Sequence, residues 1–309
     1  MRLVVYLSTE TENSEQMKQI LFFLLFIVLF AACNNQSKNA EDKTITVTIL
    51  PQKYFVEQVA GSNFKVNVIL PPGASPENYE PTPQQIQELN NSFIYFYVGH
   101  LGFEKSWMKK FSDNAPDVAY ISCSKGIDLL VGGHENCDDD HDHITKNGTD
   151  PHIWTSPENV KTMSKTIFNE LATRFPKQSD EFKANLEGFI QRIDSLDFYI
   201  RTSLADTVQR DFMIFHPSLG YFARDYHLNQ HSIEFEGKSP SAAHVRKMVD
   251  LTRERNIRTI FVQQQFEKDK AETIARETGT ELVDVDPLAY DWMAEMYSFT
   301  EKLKESFSK

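Results

Sequence analysis

A chain of 309 residues has room for two domains of ordinary size, at roughly 100–200 residues each. Hydrophobic residues at 40% and charged residues at 25% are those of a soluble globular protein once the N-terminus is set aside. A formal net charge of −12 excludes a nucleic-acid partner, which needs clustered Lys and Arg. It suits a protein that attracts cations, or one that simply stays dissolved.

The N-terminus reads as a targeting signal. Met17-Lys18-Gln19 precedes an apolar run from Ile20 to Ala32. That run falls short of the ~20 apolar residues that span a bilayer and matches the apolar segment of a secretory signal. Phe30-Ala31-Ala32-Cys33 resembles a bacterial lipobox, with Phe where Leu is usual, so Cys33 is the expected lipidation site and mature N-terminus. The competing reading is a plain cleaved signal with an incidental cysteine. Residues 1–16 are unlike the basic start of a signal, which makes Met17 a candidate first residue. Residues 34–43 (NNQSKNAEDK) then read as a flexible tether.

Beyond the tether, Thr44 to Leu50 alternates β-branched and apolar residues as a buried strand does. Pro51 opens a helical pattern through Phe55, Val56 and Val59 that Gly61 stops. Phe64 to Leu70 reads as a strand, Thr82 to Leu89 as a helix, Phe93 to Val98 as a fully buried strand and Asp117 to Cys123 as a fourth strand. This alternation predicts βαβ units and a parallel sheet. Ser156 is a candidate N-cap with Pro157 at the first helical position, and that helix runs to Phe175. From Ser179 to Leu204, Phe182, Leu186, Phe189, Ile193, Leu196 and Ile200 recur at spacings of three and four. They line one face of a single helix, on the order of 38 Å long at ~1.5 Å per residue. It predicts a stiff connector, against the alternative of an ordinary long core helix.

The second half repeats the rhythm. Strands are expected at Phe212–Phe215, His231–Phe235, Thr259–Gln263 and Glu281–Val285, and helices at Pro217–Tyr226, Ala242–Arg255, Lys268–Thr278 and Asp291–Phe307. The expected fold class is α/β: two lobes, 44–176 and 208–309, each a small parallel sheet with flanking helices, joined by one long rigid backbone helix over 177–207.

In open parallel sheets ligands bind at the carboxyl ends of strands. His216 ends the strand FMIF, Asp286 ends ELVDV, His152 stands at the exit from the first lobe, and Glu77 follows the Pro-rich turn after VNVIL. Two nitrogens and two oxygens, one of each per lobe, suit a four-coordinate divalent cation held between the lobes. Singly, each has an ordinary explanation as a hydrogen-bonded histidine or a turn-forming acid; their joint occurrence is what points to a site. A second concentration, HENCDDDHDH, holds His134, His141 and His143 with Asp138, Asp139, Asp140 and Asp142. It reads as a solvated metal-collecting loop (134–149), with a plain acidic loop as the bland alternative. Ligating histidines must be neutral, so affinity is expected to fall on acidification towards ~6.5 and below. Without Cys33 two cysteines remain, Cys123 and Cys137. Export favours a disulfide between them, the alternative being a free Cys137 thiol open to metal. With no H-E-x-x-H motif and no nucleophile elbow, no enzymatic activity is expected.

The chain resembles the metal-binding substrate-binding lipoproteins of bacterial zinc and manganese ABC transporters, from the lipobox to nearly the C-terminus. Asp150-Pro151-His152-Ile153-Trp154 is similar to that family's D/N-P-H-x-W segment, and Phe215-His216-Pro217-Ser218-Leu219-Gly220-Tyr221-Phe222 to its H-x-x-x-G-Y-F segment. Val285-Asp286-Pro287-Leu288 is similar to its D-P-L stretch. Phe261-Val262-Gln263-Gln264-Gln265-Phe266 resembles its F-x-E-x-Q-F strand, with Gln263 in place of Glu. One departure stands out: the family's first ligand is a His in P-H-x-Y/F-x-P, and here Pro76-Glu77-Asn78-Tyr79-Glu80-Pro81 places Glu77 there. A carboxylate makes the site harder and loosens a preference for zinc over manganese or iron; His100 or a loop histidine is the alternative donor. The resemblance implies a monomeric receptor, lipid-anchored to a bacterial membrane and facing the periplasm. It would carry Zn²⁺ (Mn²⁺ possible) from the cleft to an ABC permease, and the His-rich tract implies zinc. The competing readings are a manganese- or iron-binding relative, a surface adhesin and a zinc-storage lipoprotein.

Overall fold

The computed structural model describes residues 44–131, 148–234, 240–266 and 269–308. Cys33, the tether, His134, Cys137, Asp138, Asp139, Asp140, His141 and His143 lie outside these residues. No helix among the described residues is long and apolar enough to cross a membrane.

In the first lobe β1 (Thr44–Val47), β2 (Lys65–Val68), β3 (Ile94–Tyr97) and β4 (Ala119–Ser122) form one parallel sheet, ordered β2-β1-β3-β4. Ile45 pairs with Val66 on one side and Ile94 on the other. Every residue of β1 is buried, the threonines as well as Ile45 and Val47, and the Thr46 hydroxyl is satisfied by that of Ser92 at 2.7 Å. The connecting helices are α1 (Leu50–Ala60), α2 (Pro83–Asn90) and α3 (Gly102–Asn114), followed by α4 (Pro157–Arg174). Local chemistry starts them. The Thr82 hydroxyl accepts from Gln85 N while Gln85 Oε1 accepts from Thr82 N, and Ser156 Oγ accepts from Asn159 N, both satisfying first-turn donors.

The second lobe holds β5 (Asp211–Ile214), β6 (Asn229–Ser232), β7 (Thr259–Gln263) and β8 (Glu281–Val285), again parallel and ordered β6-β5-β7-β8. Its helices are α6 (Gly220–Asp225), α7 (Ala242–Glu254), α8 (Asp269–Thr278) and α9 (Trp292–Ser308). The two sheets thus share one strand order. Helix α6 is shorter than the apolar pattern suggests, because Ser218 N donates to His216 O at 2.7 Å and turns the chain before the helix begins.

Between the lobes runs α5 (Ser179–Leu204), over the span its periodicity predicts. Phe182, Leu186, Phe189, Ile193, Leu196 and Ile200 are all buried and belong to a core cluster shared by Ile45, Val47 and Phe96 of the first lobe and Phe212, Phe261 and Phe299 of the second. The apolar interior is therefore continuous through α5. A second tie crosses directly: Trp154 Nε1 donates to Pro287 O at 2.8 Å, and Trp292 Nε1 to Trp154 O at 2.7 Å.

Helix α3 has no counterpart in the sequence reading. Its core-facing residues are Phe103, Glu104 and Phe111, and the acid among them hides the apolar pattern. Glu104 is 2% exposed. It accepts from Thr48 Oγ1 (2.5 Å), Val98 N (2.7 Å) and Gly99 N (2.7 Å), tying together the chain ends that leave β1 and β3. Burial pushes its carboxyl pKa up, and those donors pull it back. Since Phe189 packs against Tyr54 and Phe55 of α1, Phe189→Ala should destabilise the protein by about 3–5 kcal/mol, read as a lower urea midpoint.

Candidate metal centre

The turn that leads into α4 places His152. Asp150 Oδ1 accepts from His152 N at 2.9 Å, an Asx-type turn that Pro151 keeps rigid. The same oxygen lies 2.8 Å from His152 Nδ1. A carboxylate can only accept, so Nδ1 carries a hydrogen and, in the neutral ring, Nε2 holds the free lone pair.

His216 follows the same logic in the other lobe. Its Nδ1 lies 2.6 Å from Glu234 Oε2, at the carboxyl end of β6, and its ring stacks on Phe266 with centroids 4.4 Å apart and 16° between planes. Its Nε2 likewise holds the free lone pair in the neutral ring. The two Nε2 atoms face each other at 3.1 Å. Both histidines are buried, at 4% and 6% exposure.

Glu77 completes the group. One ligand atom from each of Glu77, His152 and His216 lies within 4.8 Å of the other two, the one such group of His, Cys, Asp and Glu among the described residues. Phe103 N donates to Pro76 O at 3.1 Å, so the loop that carries Glu77 rests on the start of α3. The approach is close: a Cβ on Gly102 would lie 2.6 Å from Glu77 O and 2.9 Å from its Oε2. A Cβ on Gly220 would lie 2.5 Å from Asp150 Oδ2. Two glycines thus make room for two carboxylates of the site.

Asp286 stands apart from that group. Its Oδ1 accepts from Gln265 Nε2 (3.0 Å) and Leu288 N (3.2 Å), and its Oδ2 from Gln264 Nε2 (3.2 Å). It lines a small cavity with Leu70, Pro72 and both glutamines. His100, the alternative donor, is not in the group either; burial and then Lys105 lower its pKa. The roles of Asp150 and Glu234 behind the two histidines were not assigned from the sequence. The spacing of Asp150 from His152 carries a signal, while nothing local marks Glu234.

Cys123 follows β4 and is recorded as a free thiol, fully buried, and burial pushes its pKa up to about 12 despite a hydrogen bond from the Gln52 side chain. Cys137, the other half of the expected bridge, lies outside the described residues.

Residues 45–306 match the family model of the zinc-uptake complex component A, periplasmic (ZnuA). The chain belongs to that family. It is 27% identical over 281 residues to the zinc-binding lipoprotein AdcA of Streptococcus pneumoniae R6, covering 88% of this chain and 56% of that protein. The chain therefore spans about half the length of AdcA. To the high-affinity zinc uptake system protein ZnuA of Bacillus subtilis it is 26% identical over 264 residues, 82% of each chain. Among solved structures, the crystal structure of a ZnuA has a TM-score of 0.79 at 36% identity, covering 86% of this chain and 99% of that one. A ZnuA deletion mutant with zinc bound has a TM-score of 0.80 at 35% identity, with coverage of 87% and 99%.

Thiolate is the reactive form of cysteine. With its pKa held near 12 and no exposed surface, Cys123 should stay unmodified by iodoacetamide at pH 8 in the native protein. It should alkylate fully in denaturant, as read by peptide mapping.

Proposed function

We propose that this chain is the zinc-binding component of an ABC uptake transporter, capturing Zn²⁺ between its lobes and passing it to a membrane permease. One observation carries the reading. Two imidazoles, each with its Nδ1 on a carboxylate, bring their Nε2 atoms within 3.1 Å of each other. Where both rings are neutral, two lone pairs meet there, and a cation between them turns that contact into two ligand bonds. Zinc–nitrogen bonds of ~2.0–2.1 Å at a tetrahedral angle set such atoms roughly 3.3 Å apart, so the pair is already close to its ligating separation.

Glu77 supplies an oxygen and the first compensating charge. A dication with two neutral imidazoles and one carboxylate keeps a net charge of +1, which is costly to enclose. Asp286, from the same lobe as His216, is the proposed fourth ligand and would bring the shell to neutrality. Its oxygens already accept from Gln264 and Gln265 and it stands outside the Glu77–His152–His216 group, so it should contribute less than Glu77. The cation is cargo, and the chain's own residues bind, orient and shield it without a reaction step. Membership of a transport-component family supports a carrier over an enzyme.

Around this centre the other roles are assigned by chemistry. Lipidated Cys33 would hold the protein at a bacterial membrane, on the periplasmic side, through the tether 34–43. His134, His141 and His143 with Asp138, Asp139 and Asp140 would raise the local metal concentration. The stems of that segment meet at the site: Val131 pairs with Thr149, and the Tyr221 hydroxyl accepts from Leu130 N and donates to Asp150 O. A second reading, Mn²⁺ or Fe²⁺ as the cargo, is favoured by the hard carboxylate of Glu77 where a third imidazole would select zinc.

The test is metal content and competitive binding on the mature protein. The variants are Glu77→Ala, Asp286→Ala and a chain lacking residues 134–143. One tight zinc should survive loop removal. Glu77→Ala should weaken it by about a hundredfold, or ~2.7 kcal/mol, and Asp286→Ala by less. Tight binding lost with the loop but unchanged in Glu77→Ala would transfer the site to the loop. Manganese outcompeting zinc would establish the second reading.

A further inference from the structure

His216 has to leave its sheet in order to face the cleft, and its backbone is held there by a side chain. Strand β5 ends at Ile214, and Phe215 still follows the sheet: its N donates to Phe261 O at 2.8 Å and its O accepts from Glu234 N at 2.9 Å. At His216 a side-chain amide takes over. His216 N donates to Gln263 Oε1 at 3.2 Å, while Gln263 Nε2 donates to His216 O at 2.7 Å and to Ser218 Oγ at 2.9 Å. Gln263 is the last residue of β7 and is 2% exposed. The orientation of the amide is fixed by its partners, since an N–H needs the oxygen opposite it and a carbonyl needs the nitrogen. The acceptor and the donor facing His216 reproduce what a peptide unit would offer, and the second donor reaches Ser218; an ionised carboxylate or a hydroxyl cannot supply all three.

We propose that Gln263 is a positioning residue for the metal centre: its buried amide clamps the backbone of His216, so that Nε2 is aimed at His152 before a cation arrives. This rests on the proposed zinc site, because the placement of His216 matters to function only if His216 binds. Gln263 would not touch the ion. The imidazole has its own restraints, Glu234 on Nδ1 and Phe266 against its face, so loss of the amide leaves the ligand's chemistry intact and removes its placement. A site whose ligands are fixed beforehand does not spend binding free energy on ordering them, and groups behind metal ligands typically matter by about 10–100-fold in affinity.

Gln263→Met keeps the volume and removes all three hydrogen bonds. The expected result is a cooperatively melting protein whose zinc affinity, by competition with a chromophoric chelator, falls at least tenfold. Co²⁺ bound in place of zinc should show a shifted ligand-field band, which a loss of stability alone would not produce. A folded variant that binds zinc within about twofold of wild type, with an unchanged cobalt spectrum, overturns the proposal. If the variant does not fold, hydrogen exchange on the wild-type chain decides. The His216 amide should be strongly protected, and exchange at the rate of an exposed loop amide overturns the clamp. Wild-type protein that binds no zinc defeats the proposed function instead, and the exchange measurement still judges the clamp separately.

Discussion

Two imidazole Nε2 atoms from different parts of the chain are held 3.1 Å apart, and everything around the cleft can be read as what keeps them there. His152 and His216 come from different lobes, so their separation is only as well defined as the joint between those lobes. That joint is broad. The buried face of α5 packs against residues of both sheets in one continuous core, and the Trp154 and Trp292 indoles cross between the His152 turn and the chain that follows β8. The placement of the two rings is thereby secured by apolar burial far from the site.

Behind each imidazole a carboxylate does two things. It fixes the tautomer, and it makes the ring a better donor to a metal. Asp150 achieves this locally, since the residue that turns the chain also accepts from the ring. Glu234 achieves it across the sheet, from the strand next to β5. The close fit demands glycine twice, at Gly220 beneath Asp150 and at Gly102 beneath Glu77. The glycine of the H-x-x-x-G-Y-F segment thus has a steric reason to be where it is.

Much of this was legible in the sequence because its signal was local. The α5 seam follows a helical period, and its six apolar residues are the ones found buried. His152 and His216 stood out because strand and lobe exits are where parallel sheets bind ligands, and the structure brings them together with Glu77. Less was legible where burial is decided by tertiary contacts. Glu104 reads as a surface acid in a polar segment, yet donors from Thr48, Val98 and Gly99 make it the anchor of α3. The enclosure of Cys123 beside Gln52 is likewise a tertiary fact that its neighbours in sequence do not carry. Asp286 sits at the strand end expected of it, and the two glutamines that occupy its oxygens are what its position in the sequence could not show.

Restraint is shared unequally among the candidate ligands, and that inequality bears on how a carrier can hold its cargo and still give it up. The histidines are pinned through ring nitrogen, ring face and backbone. Glu77 rides on a half-exposed loop whose anchors are Ser75 Oγ and the start of α3, and Asp286 already has partners competing for it. With the lobes joined through α5 and the tryptophans, a wide hinge closure would have to break the core that joins them. The softer half of the shell is the carboxylate half. Because the carboxylates also neutralise the dication, withdrawing one of them both opens the shell and makes an enclosed net charge costly. On the proposed function, fixed nitrogens would account for selective capture, and movable oxygens for release.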